Sequence, residues 1–404
     1  MLCKNGDFMK TVFRHSRGVT RRALAAVVVL SFGLLLGVLH APTQASASST
    51  ANAVTDLNLL YSNRPSVRAM FDGINKYRKA NGLSPAVLTL AGTDQSQGWT
   101  NDWQRLGIRP ADTTDDLPGL RWAGYLSYAC MSGQESEAVK AWIEYNGDSM
   151  KGASPESAYA LGVGVAPGLH GSLRMQVVGY EFTGSAPSTV FTTVDEYFAY
   201  VDAANAFTAP AASPFQDIKT DQQFYKEMTW LSAKSISAGW KENDGSSTYR
   251  PLTSVSREAM AAFIYRMAGS PPWTPPQTSA YVDVPTSHPF YKEIAWLAMS
   301  GISTGWENQD GSSSFRPGLP ISRDAMAAFL YRASGYPAYT PPAVSPFQDV
   351  APQQQFYKEM AWLSARGIST GWTENTGQRT YRPLTLITRD AMAAFLYRIA
   401  DKAR

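Results

Sequence analysis

Two cysteines and four histidines are all that 404 residues supply of the side chains most used for redox, metal and acid–base chemistry. Cys3 lies in an N-terminal segment that reads as removable, which leaves Cys130 with no partner for an internal disulfide. The fold must then hold on its buried core, and Cys130 reads as a small buried apolar residue. His15 and His40 fall in the same early segment, so only His170 and His288 remain. One sits in a Gly-rich turn and the other far along the chain in its repetitive second half, and each reads as a lone surface histidine. A two-histidine metal centre and histidine-dependent catalysis both lack their parts. Charge is also sparse, at 17% of residues.

The first 47 residues read as a secretory signal peptide. Lys4, Lys10, Arg14, Arg17, Arg21 and Arg22 precede the apolar run Ala23 to Leu39, and "APTQASA" follows with a small-x-small ending. At 17 residues the run is shorter than the ~20 of a spanning helix. Thr20-Arg21-Arg22 faintly resembles a twin-arginine signal, but a core this apolar suits the general secretory route. Without this segment the chain keeps 30 basic against 32 acidic residues, so its basicity belongs to the leader. No basic cluster remains to bind nucleic acid, and no later run is long enough to span a membrane.

The second half repeats itself with a period of 66 residues and no gaps. Asp217, Asp283 and Asp349 recur at that step, as do Trp230, Trp296 and Trp362. Gly239, Gly305 and Gly371 recur too, each followed by a tryptophan: Trp240, Trp306 and Trp372. Arg257, Arg323 and Arg389 complete the set. Each unit reads helix–loop–helix. Phe224, Met228, Leu231 and Ile236 approach helical spacing, and the second helix starts at the N-cap residues Ser256, Ser322 or Thr388. Two short helices cannot bury such apolar faces alone, so the three units should pack on one another. "SPPWTPPQTS" and "GYPAYTPPAVS" read as the joints between them.

These units resemble S-layer homology repeats, over residues 213–269, 279–335 and 345–402. The resemblance rests on the aromatic-x-Asp opening, Gly-Ile-x-x-Gly, Tyr/Phe-Arg-Pro, and Ser/Thr-Arg-Asp/Glu-Ala at the second helix. It implies a mainly α, pseudo-threefold bundle of helix–loop–helix repeats whose grooves bind a cell-wall polysaccharide or peptidoglycan-linked glycan. The first copy departs from the others, with Ser235 where they have Gly301 and Gly367.

Within the repeats, Arg257, Arg323 and Arg389 stand in the first turn of a helix, where the macrodipole disfavours a cation. An anion nearby is therefore expected. It is the unit's own aspartate (Asp217, Asp283 or Asp349), a carboxylate or phosphate on the glycan, or both, with the aspartate orienting the arginine in the glycan site. Trp240, Trp306 and Trp372 either plug a neighbouring unit's core or stack on a sugar. Trp230, Trp296, Trp362, Tyr249, Phe315 and Tyr381 read as core. "ENDGS" and its counterparts read as turns, because the third copy loses the aspartate and no glutamate closes a calcium loop.

Residues 57–183 have another texture. Val67, Met70, Ile74 and Tyr77 mark a helix ended by Asn81-Gly82, and further helices are expected in "GTDQSQGWTNDWQRLGI" and "ESEAVKAWIEY". "ALGVGVAPGLHGSLRMQVVGYEF" reads as a β-hairpin. The order resembles the CAP domain of cysteine-rich secretory proteins, through Asn75-x-Tyr77-Arg78, Gly82-Leu83, Ala138-Val139 with Trp142, and Gly162-Val163-Gly164-Val165. That implies an α+β, α/β/α sandwich. The family's cleft of two histidines and two acids is missing here: Gly124-Tyr125-Leu126 and Asn146 to Met150 stand in those places. Glu135, Glu137 and Glu144 read as a solvated helix face, and residues 184–212 as a linker holding a short amphipathic helix.

The expectation is a secreted bacterial surface protein, anchored non-covalently to wall glycan and displaying a non-catalytic domain, with no metal and no cofactor. A cell-wall hydrolase or peptidase working through those carboxylates is the alternative, and a structural envelope subunit is another.

Overall fold

The computed structural model describes residues 63–106, 116–118, 120–131, 134–152, 159–167, 172–183, 189–271 and 273–403. Residues 1–47, expected to form a signal peptide, and His170 lie outside the described residues, as do the side chains of Cys130, Tyr125 and Asp148.

The N-terminal region is mixed α/β. Helix α1 (Arg64–Ala80) places Pro65 in its first turn, where a missing N–H costs nothing, and hands over at Asn81 to Gly82, with φ 69°. Its buried stripe is Val67, Met70, Phe71 and Ile74. Five strands follow: β1 (Ala86–Thr89), β2 (Leu120–Met131), β3 (Tyr159–Pro167), β4 (Ser172–Phe182) and β5 (Val190–Phe191). They form one sheet in the order β2-β4-β3-β1-β5. β3 and β4 are the antiparallel arms of the hairpin expected from sequence, and β1 runs parallel to β3. β2, the other long neighbour of β4, is a strand that the sequence reading does not place.

Alternation along β3 sorts the layers. Leu161, Val163 and Val165 share a core with α1 and with Ala138 and Trp142 of α3 (Glu135–Gly152). Gly162 and Gly164 turn instead towards α2 (Leu90–Leu106), whose backbone comes so close that a Cβ at either glycine would lie 2.1 Å from a carbonyl oxygen of that helix. The α2 side is polar. Gln97 accepts from the Val165 N–H at 3.1 Å and donates to its carbonyl at 2.9 Å, which satisfies a buried amide.

The stretch read as linker holds the short helix expected in it, but residues 190–204 pack as part of the fold instead of serving as a connection. β5 pairs with β1, and α4 (Val194–Ala204) is fixed by a capping box between Thr193 and Glu196. Phe191, Val194, Tyr197 and Phe198 are buried in the same core as α1, so this segment completes the α/β layers.

Three units fill the C-terminal half, and the expected helix–loop–helix gains a small ribbon. The first is α5 (Tyr225–Ala233), β6 (Trp240–Lys241), β7 (Ser247–Thr248) and α6 (Arg257–Met267). The second is α7 (Tyr291–Met299), β8 (Trp306–Glu307), β9 (Ser313–Ser314) and α8 (Arg323–Ala333). The third is α9 (Tyr357–Ala365), β10 (Trp372–Thr373), β11 (Arg379–Thr380) and α10 (Arg389–Ala403).

The units close into a ring. Ile321 N–H donates to the carbonyl of Val255 at 2.9 Å, Ile387 N–H to Ile321 at 3.0 Å, and Val255 N–H to Ile387 at 2.9 Å. The second helix of each unit packs against the first helix of the next, and the third unit returns to the first. Tyr265 meets Trp296 edge-on, Tyr331 meets Trp362, and Tyr397 meets Trp230, each at 5.3 Å between ring centroids. Burying Phe315, which is fully enclosed, contributes about 2 kcal/mol of transfer free energy. Tyr249 and Tyr381 hold the same place in their units and are equally enclosed.

The hydroxyl caps differ between units. Ser256 accepts from Ala259 N–H at 3.3 Å, as an N-cap should. The Ser322 and Thr388 hydroxyls donate instead to Asp324 and Asp390, whose short side chains take the first free N–H groups, those of Ala325 and Ala391. Glu258, longer by a methylene, stands 3.4 Å from His288 of the second unit. His288 is therefore a half-buried residue at a unit boundary, which corrects the reading of it as a lone surface side chain.

Candidate functional site

Each repeated aspartate serves its own unit's backbone. Asp217 accepts the N–H groups of Tyr249 and Arg250 at 2.7 and 2.6 Å. Asp283 does the same for Phe315 and Arg316, and Asp349 for Tyr381 and Arg382. The cause is local: Arg250, Arg316 and Arg382 have φ of 57°, 58° and 56°, and this left-handed turn aims two consecutive N–H groups at one carboxylate. The alternative of an ion pair between each arginine and its own unit's aspartate is thereby corrected.

Arg257, Arg323 and Arg389 cross to the following unit instead. Their Nε groups donate to the carbonyls of Phe315, Tyr381 and Tyr249 at 2.8, 3.0 and 2.8 Å. Only 5–7% of each residue is exposed. Burial depresses the pKa of all three guanidinium groups, that of Arg257 to about 10. They nonetheless stay charged at neutral pH.

Above each buried arginine lies the ring that follows the repeated glycine. Arg257 stands 4.2 Å from the Trp306 centroid, Arg323 4.4 Å from Trp372, and Arg389 4.3 Å from Trp240. A second, exposed arginine meets the same ring: Arg316 at 4.5 Å, Arg382 at 4.4 Å and Arg250 at 4.4 Å. The tryptophans are 36–37% exposed, so each is neither a core plug nor a bare platform. It is a half-exposed aromatic wall carrying two cations. Glycine must precede it: a Cβ at Gly239 or Gly371 would lie 2.3 Å from a carbonyl of the ribbon's other arm.

The sequence reading picks out the buried arginine, the tryptophan and the aspartate, and the structure brings the first two together at every boundary. The aspartate sits behind them as a clamp. The sequence reading does not single out Arg250, Arg316 and Arg382, although the recurring aromatic-Arg-Pro triplet contains them. Two guanidinium groups beside an indole suit a ligand with an anionic group and a sugar face.

The family model for the S-layer homology domain matches residues 280–327 and 346–393, which run from just before Asp283 and Asp349 to just past Arg323 and Arg389. Two segments of the chain therefore match the S-layer homology domain. Such domains bind cell-wall glycans and hold proteins non-covalently at the bacterial cell wall or cell surface. No curated protein matches the sequence.

In the N-terminal region, Glu135 accepts from the Ser66 hydroxyl at 2.8 Å, Glu137 pairs with Lys140 at 2.7 Å, and Glu144 is exposed. Among the described residues no group of three or more His, Cys, Asp and Glu side chains could hold a metal ion. No helix among them is long and apolar enough to cross a membrane.

Proposed function

We propose that this chain is an exported bacterial protein attached to wall glycan by three repeats, residues 213–269, 279–335 and 345–402, and that it displays a non-catalytic CAP-like domain. The observation that carries the reading is the recurrence of one contact set. The S-layer homology match covers the second and third units. The first unit repeats their carboxylate clamp, and it joins the same crossing arginine and indole pattern at Trp240. We take it as a third repeat of the same kind. Helices on both faces of a mixed sheet support the CAP-like reading. The separate engagement of Glu135 and Glu137 favours a display role over a hydrolase built on those carboxylates.

The ligand chemistry follows from the boundary. A saccharide edge can lie against the exposed part of the indole while a carboxylate or phosphate meets the guanidinium N–H groups. The test is co-sedimentation of residues 48–404 with purified bacterial walls, before and after acid extraction of their glycans. Binding should be lost with the glycan, and equal binding to both preparations sinks the glycan reading. Release of soluble wall fragments by the same chain, abolished in E135Q/E137Q/E144Q, would overturn the non-catalytic assignment.

A further inference from the structure

The three boundaries share a plan but differ in charge. Where Trp240 and Trp372 stand, the exposed arginine is neutralised: Arg250 pairs with Glu242 at 3.1 Å and Arg382 with Glu374 at 3.0 Å. Each of those glutamates is held in place by a threonine hydroxyl, Thr248 or Thr380. At the equivalent position the second unit has Asn308. Its amide is spent on Ser312 and Ser314, at 2.9 and 3.1 Å. Arg316 is left with no carboxylate partner among the described residues.

The buried arginine differs at the same boundary. Arg323 gives a second hydrogen bond to Ser369, and Arg389 gives one to Ser237 at 2.9 Å. For Arg257 the bond to the Phe315 carbonyl is its one side-chain hydrogen bond among the described residues, so its terminal N–H groups are uncommitted. The ring behind it is Phe315 rather than the tyrosine of the other units, and the nearby Tyr281 hydroxyl donates to the Ser303 carbonyl.

Neighbouring acids do not restore the balance. Asp283 is held by two backbone N–H groups, as in every unit, and Asp310 by Ser312. Glu307 precedes Asn308 on β8 and points to the opposite side of the ribbon from Trp306.

We infer that the boundary at Trp306, between the first and second units, is the principal anion-accepting site of the ring, with Asn308 as the residue that makes it so. The two arginines there offer N–H donors already freed of internal partners. At the other two boundaries an incoming anion must displace Glu242 or Glu374, or share the arginine with it. This rests on the glycan-anchoring reading and deepens it: the ring holds one strong and two weaker sites.

The test is fluorine NMR of the full chain labelled with 5-fluorotryptophan, with Trp240, Trp306 and Trp372 assigned by single replacements with phenylalanine. Glucuronate and glucose 6-phosphate are the probes, and glucose is the neutral control. The Trp306 signal should move at a concentration roughly tenfold below that needed for Trp240 and Trp372, and glucose should leave it in place. Asn308→Glu should abolish that advantage, and the paired replacement E242N/E374N should bring the other two signals up to it. Equal responses of the three tryptophans, or a response unchanged in Asn308→Glu, overturn the inference. A chain that sediments with walls while Trp306 ignores both anionic probes refutes this inference and leaves anchoring intact. A chain that answers the probes as stated but ignores walls refutes anchoring instead.

Discussion

Arg389 donates from Nε to the carbonyl of Tyr249 at 2.8 Å, across 140 residues of chain. A second bond from the same guanidinium reaches Ser237 at 2.9 Å, and Val255 N–H meets Ile387 beside it. The last helix therefore finishes the first unit, and the array has no free end of the kind a linear solenoid presents. Arg389→Met should leave the buried Tyr249 carbonyl without its donor, at a cost of about 1–3 kcal/mol. Because the ring is shared, the loss should appear as one cooperative transition of all three units at lower denaturant. Tryptophan fluorescence in guanidinium chloride reads this. A variant whose third unit melts separately, or whose midpoint is unmoved, refutes the closed ring.

Much of the ring is legible in the sequence, because its signals are local. The 66-residue period, the cap residues and the apolar helix faces each sit within one unit. The partners of the arginines are not legible, since cyclic closure joins Arg389 to a carbonyl in a unit two repeats away. The aspartate's role is hidden for another reason. It depends on a left-handed φ at Arg250, Arg316 and Arg382, and arginine is not a residue that announces such a turn. β2 is missed because "LRWAGYLSYACM" alternates poorly and its pairing with β4 is non-local. β5 and α4 are missed as part of the first core because their small and polar flanks look like a connection.

The carboxylate clamp can be probed at any unit. Asp349 accepts two short charge-assisted bonds, so Asp349→Ala should cost about 2–4 kcal/mol and Asp349→Asn nearly as much. The amide offers one acceptor where two N–H groups converge. Thermal unfolding should show the same order for Asp217→Asn against Asp217→Ala. A full rescue by asparagine shows that the charge is dispensable and refutes the clamp as described.

In the N-terminal region the decisive contact is backbone to backbone. A Cβ at Gly164 lies 2.1 Å from the Ser96 carbonyl and 2.5 Å from the Gln97 N–H nitrogen, neither of which can rotate away. Gly164→Ala should push α2 off the sheet and break the paired bonds between Gln97 and Val165. A destabilisation of about 3 kcal/mol or more is expected. Hydrogen exchange should locate it, with Val165 N–H losing protection. An alanine variant as protected as the parent shows that the helix sits further from β3 than described.

Alkaline pH separates two opposed effects inside the ring. Burial first of all raises the Tyr249 phenol to about 12, against an ordinary value near 10. Its stabilisation is therefore fully present below pH 10 and is lost as pH rises towards 12, because the unfolded chain releases the proton first. Arg257 runs the other way. Its pKa is lowered by burial to about 10, so the cost of burying the cation is complete below pH 10 and is relieved as pH climbs beyond it. The two effects oppose each other in this window, and a substitution at one of the two residues exposes its limb. Tyr249→Phe is the suitable one, since Phe315 already fills that place in the second unit. Relative to its effect at pH 8, the substitution should become more favourable by about 1 kcal/mol at pH 11. Urea unfolding at the two pH values measures it. A difference that stays constant, or turns against phenylalanine at pH 11, means that the phenol ionises freely in the folded ring.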